Sequence, residues 1–99
     1  MITVKNLSSL LVDFGAAAAP FDHVALREDR VPARPGYAFS DETYGSESYV
    51  YIDVPTVEDR SRLEKFLEGK GVKVDPTYCP GARVVEARVR WFKGTRWND

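Results

Sequence analysis

The chain has 99 residues, of which 43% are hydrophobic and 29% are charged, and its formal net charge is −1. A chain of this length sustains one hydrophobic core, so we expect a single domain spanning residues 1–99. The composition excludes a disordered chain. The apolar runs are too short for a helix that crosses a bilayer, so no membrane partner is expected.

The single cysteine, Cys79, excludes a disulfide within the chain. This favours a reducing compartment, and we expect a cytoplasmic protein. An export signal is not expected, because Asp13 interrupts the first apolar stretch and only Lys5 stands in for a basic region.

The first twenty residues predict a short strand followed by a helix. Ile2 and Val4 fit the strand, and Asn6 or Ser8 is a candidate cap for the helix, which should end before Pro20. The apolar positions at helical spacing are Leu7, Leu10, Leu11 and Phe14.

Residues 21–27 then predict a strand, residues 28–36 a surface loop, and residues 37–39 an extended segment. Residues 40–46 carry turn-forming residues and are interpreted as a wide hairpin connection.

Residues 47–92 contain the most consistent local signals. Residues 49–54 alternate as a strand, and Thr56 with Asp59 predicts the start of a helix that Gly69 and Gly71 end. Its predicted core positions are Leu63, Phe66 and Leu67. Residues 72–74 predict a second strand parallel to the first, and residues 82–92 a long strand that inserts between the two.

Alternation within these strands predicts which side chains share a face. Val50, Ile52 and Val54 should lie opposite Tyr49 and Tyr51. In the last strand, one side should carry Val85, Ala87, Val89 and Trp91, and the other Val84, Glu86, Arg88, Arg90 and Phe92. The predicted fold is α+β: a two-layer sandwich with a mainly antiparallel sheet, helices on one face, and a βαββ unit that forms half of a ferredoxin-like sheet.

The sequence shows no complete catalytic or metal-binding constellation. His23 is the only histidine and lies 56 residues before Cys79. Asp41, Glu42 and Glu47 form an acidic run that is typical of a solvated surface. We therefore assign no catalytic residue, no metal ligand and no cofactor. The absence of such a constellation from the sequence disfavours an enzyme without excluding one.

The hexapeptide FDHVAL, with the later strand, helix and strand, faintly resembles vicinal-oxygen-chelate enzymes such as glyoxalases. That resemblance would imply His23 and Glu86 as ligands of a divalent metal. An enzyme of that type needs two complete modules in one chain, and here a proline-containing segment follows His23 where the helix of the first module belongs. The sequence is therefore not assigned to this family.

Aromatic and charged residues have an uneven distribution. Residues 40–59 have a local charge of −6, and residues 80–99 one of +3. Tyrosine combines apolar area with a polar group and suits a recognition surface. The candidate binding residues are Tyr37, Phe39, Tyr44, Tyr49, Tyr51, Arg88, Arg90 and Trp91.

These patterns favour a small binding or interaction protein that uses an aromatic sheet face for a partner protein or a small ligand. We expect a homodimer, in which a free edge of the 49–54 strand and the oppositely charged segments meet across a two-fold axis. One alternative is a small metal-dependent or acid/base enzyme centred on His23 and carboxylates. A second is nucleic-acid binding through Arg88, Arg90 and Trp91, which the overall acidity disfavours.

Overall fold

The computed structural model describes residues 2–21, 34–44, 47–76 and 79–90, which form two helices and three strands. The elements in chain order are α1 (Val4–Phe14), β1 (Ala38–Tyr44), β2 (Glu47–Asp53), α2 (Val57–Gly69) and β3 (Val84–Val89). The prediction of an α+β fold with a mainly antiparallel sheet is confirmed.

The sheet has the order β1-β2-β3, and both neighbouring pairs are antiparallel. On the far side of β3, Val74 forms an isolated antiparallel bridge with Ala87. Two backbone bonds flank this bridge, from Asp75 N–H to Glu86 C=O and from Arg88 N–H to Lys73 C=O. β3 therefore lies between β2 and the 73–75 segment, which is compatible with the predicted βαββ unit.

β2 is the central strand, and this position corrects two expectations. The 49–54 strand offers no free edge, because β1 and β3 bond to its two sides. Residues 40–44 are not a loop but most of β1, and Tyr44 pairs with Glu47, so only two residues separate the strands. Exposed Ser40 and Glu42 alternate with partly buried Asp41 and Thr43, and pairing with β2 stabilises a strand there despite the turn-forming residue types.

The helical layer covers one face of the sheet. Val50 and Ile52 of β2 and Val85, Ala87 and Val89 of β3 are buried in one core with α1 and α2. The predicted alternation of both strands is thus confirmed for the described residues. We call the helix-covered side the inner face and the opposite side the outer face.

α1 starts earlier than predicted. Its N-cap is Thr3, whose hydroxyl accepts a bond from Asn6 N–H at 3.1 Å, so Val4 lies in the helix and not in a strand. The helix ends at Gly15, which has a left-handed φ of 92°, and not at Pro20. Leu7 and Leu11 are fully buried, as the spacing predicts.

α2 has the predicted N-cap. Thr56 Oγ1 accepts a bond from Asp59 N–H at 3.0 Å and donates one to Asp59 Oδ2 at 2.8 Å. The bond from Thr56 is the main reason that the pKa of Asp59 is lowered, and bonds from Arg62 and Tyr37 add to it. Leu63 and Leu67 are buried, but Phe66 is only partly buried beside Phe14, at 5.2 Å between ring centroids.

The predicted strand at residues 21–27 and the end of the last predicted strand, residues 91–92, lie almost entirely outside the described residues. Within the described ranges, neither helix is long and apolar enough to cross a membrane.

Candidate functional site

The outer face of the sheet carries the two central tyrosines beside charged partners. Tyr49 lies opposite Arg88 in the register, and Tyr51 lies opposite Glu86. On the other side of β2, Tyr49 pairs with Glu42 of β1 and Tyr51 with Ser40. Both described helices lie on the inner face, so this row of side chains is separated from the helical layer.

Arg88 is the centre of a charged cluster that fixes Tyr49. Its Nε donates to Asp75 Oδ1 at 2.9 Å, and its Nη1 lies 3.7 Å from Glu47 Oε1. The guanidinium carbon is 5.5 Å from the centroid of the Tyr49 ring, within the range of a cation–π contact. The bond from Asp75 is the main reason that the pKa of Arg88 is raised. The positive charge of Arg88 is therefore compensated within the protein.

Tyr49 completes the cluster through its hydroxyl group. It donates to Glu47 Oε2 at 2.7 Å, and the residue as a whole is only 7% exposed. The bond to Glu47, followed by burial, raises the pKa of Tyr49 from 10.0 to about 12, because both favour the protonated phenol. The ring of Tyr51 lies beside it, with 6.2 Å between the centroids.

A groove of about 380 Å³ borders this cluster on the β3 side. Its base contains the outer-face residues of β3, and the 75–76 and 79–82 segments flank it. The lining residues are Asp75, Pro76, Cys79, Ala82, Val84, Glu86 and Arg88. Arg88 is bonded to Asp75, whereas no hydrogen bond or ion pair joins the Glu86 side chain to any described residue. The groove therefore combines apolar surface with one carboxylate that has no partner there.

A second, more open groove lies at the start of β3. It has a volume of about 710 Å³, and Val84 lines both grooves. The other lining residues are Gly36, Asp53, Val54, Pro55, Gly81 and Arg83. The two grooves therefore share Val84 as a lining residue, and the ionisable side chains of the second groove are those of Asp53 and Arg83.

Arg60 of α2 positions the turn that flanks the first groove. Its Nη1 donates to three backbone carbonyls, those of Ala82 at 2.7 Å, Pro80 at 3.1 Å and Cys79 at 3.4 Å. Its Nε lies 3.3 Å from Glu64 Oε1, which orients the side chain along the helix. Since one guanidinium joins three carbonyls, the 79–82 turn is attached to the helical layer.

The structure does not bring all the candidate binding residues together. Phe39 lies on the inner side of β1, opposite Ile52, and stacks on Phe21 with 5.1 Å between centroids. Tyr37 is buried, directly before β1, and its hydroxyl bonds to Asp59. Burial, and after it the charge of Asp59, raises the pKa of Tyr37. Tyr37 and Phe39 are therefore separate from the outer-face pair Tyr49 and Tyr51.

The remaining candidates lie near the ends of strands. Tyr44 pairs with Glu47 at the end of β1. Arg90 is exposed just after β3, and its N–H bonds to Ile2 C=O. Trp91 and His23 lie outside the described residues. Cys79 is a free, exposed thiol.

Three residues of the site were not selected from the sequence. Glu47 is two positions before Tyr49, so strand alternation places both on one face and is a signal that could have identified it. Asp75 joins the cluster only through the register between residues 73–75 and β3, which no local pattern specifies. Arg60 acts on a turn about twenty positions further along the chain, and its helical context gives no signal for that contact.

No set of three or more histidine, cysteine, aspartate or glutamate side chains within the described ranges is arranged to hold a metal ion. Comparison of the whole chain with protein-family models, curated proteins and solved structures finds no match.

Proposed function

We propose that the chain is a small cytoplasmic binding protein that contacts a partner protein through the outer face of its sheet. The observation that supports this most directly is the fixed outer-face cluster of Tyr49, Arg88, Glu47 and Asp75 beside the groove that Asp75 and Arg88 line. Aromatic and arginine side chains that are already ordered lose little conformational entropy on binding, which favours recognition.

The shape of the two grooves favours an extended partner segment over a small molecule. Enclosed pockets bury most of a small ligand. Here, both grooves are open to solvent, and Val84 at the start of β3 lines both of them. A chain segment that crosses Val84 would contact both grooves at once.

The state of Arg88 disfavours nucleic acid as the partner. Phosphate binding requires guanidinium groups that are available for bonds to phosphate oxygens. Arg88 instead bonds to Asp75 and lies near Glu47, and the adjacent Glu86 would repel a phosphate.

A homodimer stays a second prediction about the partner. A symmetric contact would place this face against its own copy. Carboxylates outnumber basic groups on the outer-face positions of the three strands and the 73–75 segment, so that contact would bring like charges together. The carboxylates are Glu42, Glu47, Asp53, Asp75 and Glu86, and the basic side chains are Lys73 and Arg88. A dimer would therefore need the basic 80–99 segment of one copy to meet the acidic 40–59 segment of the other.

Site-specific photocrosslinking tests the proposed surface. A photoreactive residue replaces the exposed Lys73, on the outer face beside β3, in one variant and the exposed Lys65 of α2 in the control, and each is irradiated in the cells that produce the protein. Glu86 is unchanged in both variants. We expect one predominant adduct from position 73 that position 65 does not give. Equal capture of that protein from both positions, or capture only from position 65, would contradict the proposal. An adduct of twice the 11.2 kDa chain mass would identify a second copy as the partner.

A further inference from the structure

We infer that the groove beside β3 receives a basic side chain, lysine or arginine, from an extended segment of the partner, with Glu86 as its ion-pair acceptor. This inference rests on the proposed function and specifies the chemistry of the partner. It is argued from the charge of the groove, the position of its apolar residues and the attachment of the turn beside it.

The charge of the groove favours a cation. Among the described residues, Arg88 is the only base that lines it, and Asp75 and Glu47 compensate its charge, whereas Glu86 makes no ion pair with a described residue. The second groove has no such excess, because Asp53 and Arg83 both line it. An arginine or lysine head group would compensate Glu86, whereas an acidic group would be repelled by it.

The apolar lining suits the stem of a long basic side chain. Val84 lies two positions before Glu86 on the same face of β3, and Pro76 and Ala82 flank the groove. Lysine and arginine pack their methylene groups on apolar surface while the charged end contacts a polar group. The spacing of Val84 and Glu86 therefore provides a site for the stem and a site for the charge.

The groove is also preorganised on its turn side. The three bonds from Arg60 to the carbonyls of Cys79, Pro80 and Ala82 attach that turn to α2. A preformed groove reduces the entropy that binding must overcome.

An NMR titration tests the inference with defined probes. The first probe is the acetylated, amidated peptide Leu-Arg-Leu-Arg-Leu, and its matched control has citrulline in place of both arginines. Citrulline keeps the shape of arginine but carries no charge. The protein variants are Glu86→Gln and, as a control on the exposed surface of α2, Glu68→Gln.

We expect the arginine peptide to shift the signals of Val84, Glu86 and Arg88, with about fivefold weaker binding to Glu86→Gln and unchanged binding to Glu68→Gln. The citrulline peptide should bind the wild-type protein no more tightly than the arginine peptide binds Glu86→Gln. Outer-face shifts that do not depend on Glu86 would overturn this inference and leave the outer-face proposal standing. Shifts confined to α1 and α2 would contradict both. No shift with either peptide would overturn the inference alone, since the crosslinking experiment tests the face independently.

Discussion

Arg88 joins three segments that are distant in the sequence. It lies on β3, bonds to Asp75 of the 73–75 segment, and contacts Tyr49 and Glu47 on β2. The side chain is 25% exposed and that of Asp75 is 18% exposed, so this ion pair is better shielded than a fully solvated surface pair. Its main effect is to fix the orientation of the outer-face side chains.

Tyr49 should make stability depend on pH in the alkaline range. Its pKa is 10.0 in the unfolded chain and about 12 in the folded protein, so the unfolded state loses its proton first. The stabilisation is complete below pH 10 and is lost as the pH rises towards 12. We expect the free energy of unfolding of Tyr49→Phe, measured with urea from pH 9 to 11.5, to fall less steeply than that of the wild type.

The variant Glu47→Gln provides the matched control, because it removes the carboxylate that contributes most to the shift. Its pH dependence should lie between those of the wild type and Tyr49→Phe. Parallel curves for all three proteins would show that the bond between Tyr49 and Glu47 is absent in solution.

Gly36 and Gly69 should respond in opposite ways to replacement by alanine. Gly36 has a φ of +87°, and an added Cβ would lie 2.7 Å from Pro55 Cβ, whereas Gly69 is helical with open space around it. Gly36→Ala should lower the free energy of unfolding by about 2 kcal/mol, through strain and steric overlap. Gly69→Ala should raise it by about 0.5 kcal/mol. Urea unfolding measures both. An unchanged midpoint for Gly36→Ala would contradict the positive φ of Gly36 and its close contact with Pro55.

At the scale of the elements, the sequence predicted those parts that depend on local periodicity. The alternation of residues 49–54 identified the inner and outer sides of β2, and Thr56 with Asp59 identified the start of α2. Residues 40–44 were misinterpreted because serine and aspartate, followed by Gly45, favour turns locally, whereas pairing with β2 stabilises a strand there.

α2 provides a test of the core assignment. Leu63 is fully buried, whereas Phe66 is only partly buried and contacts Phe14 and Lys70 at the edge of the core. We expect Leu63→Ala to lower the free energy of unfolding by about 3 kcal/mol and Phe66→Ala by about 1–2 kcal/mol. Chemical denaturation measures both. A larger loss for Phe66→Ala would show that α2 is rotated about its axis relative to this structure.

At the scale of the whole molecule, tertiary register decides what local patterns leave open. The sequence identified Tyr49, Tyr51 and Arg88 as binding candidates, and the register places them side by side. The same role was predicted for Tyr37 and Phe39, but both lie near the helical layer. Tyr37 bonds to Asp59 of α2, and Phe39 pairs with Ile52 on the inner side of the sheet. The grooves were not predicted, since they depend on the 79–82 turn and on its attachment to Arg60.

The two faces of the molecule differ in chemistry as well as in position. The inner face is apolar and covered by both helices, whereas the outer face carries the buried Tyr49 and the partly exposed Tyr51 among mostly acidic groups. A partner segment with basic and apolar residues is complementary to this outer face.

The most direct test is the affinity of the crosslinked partner, purified and titrated by calorimetry against the wild type and three variants. Two variants, Tyr51→Glu and Glu86→Lys, alter the outer face, and Glu68→Lys alters the exposed surface of α2. Thermal unfolding of each variant establishes that it is folded. We predict that each outer-face change weakens binding at least tenfold and that Glu68→Lys changes it less than twofold. Unchanged affinity for both outer-face variants, or a larger loss for Glu68→Lys, would contradict the account.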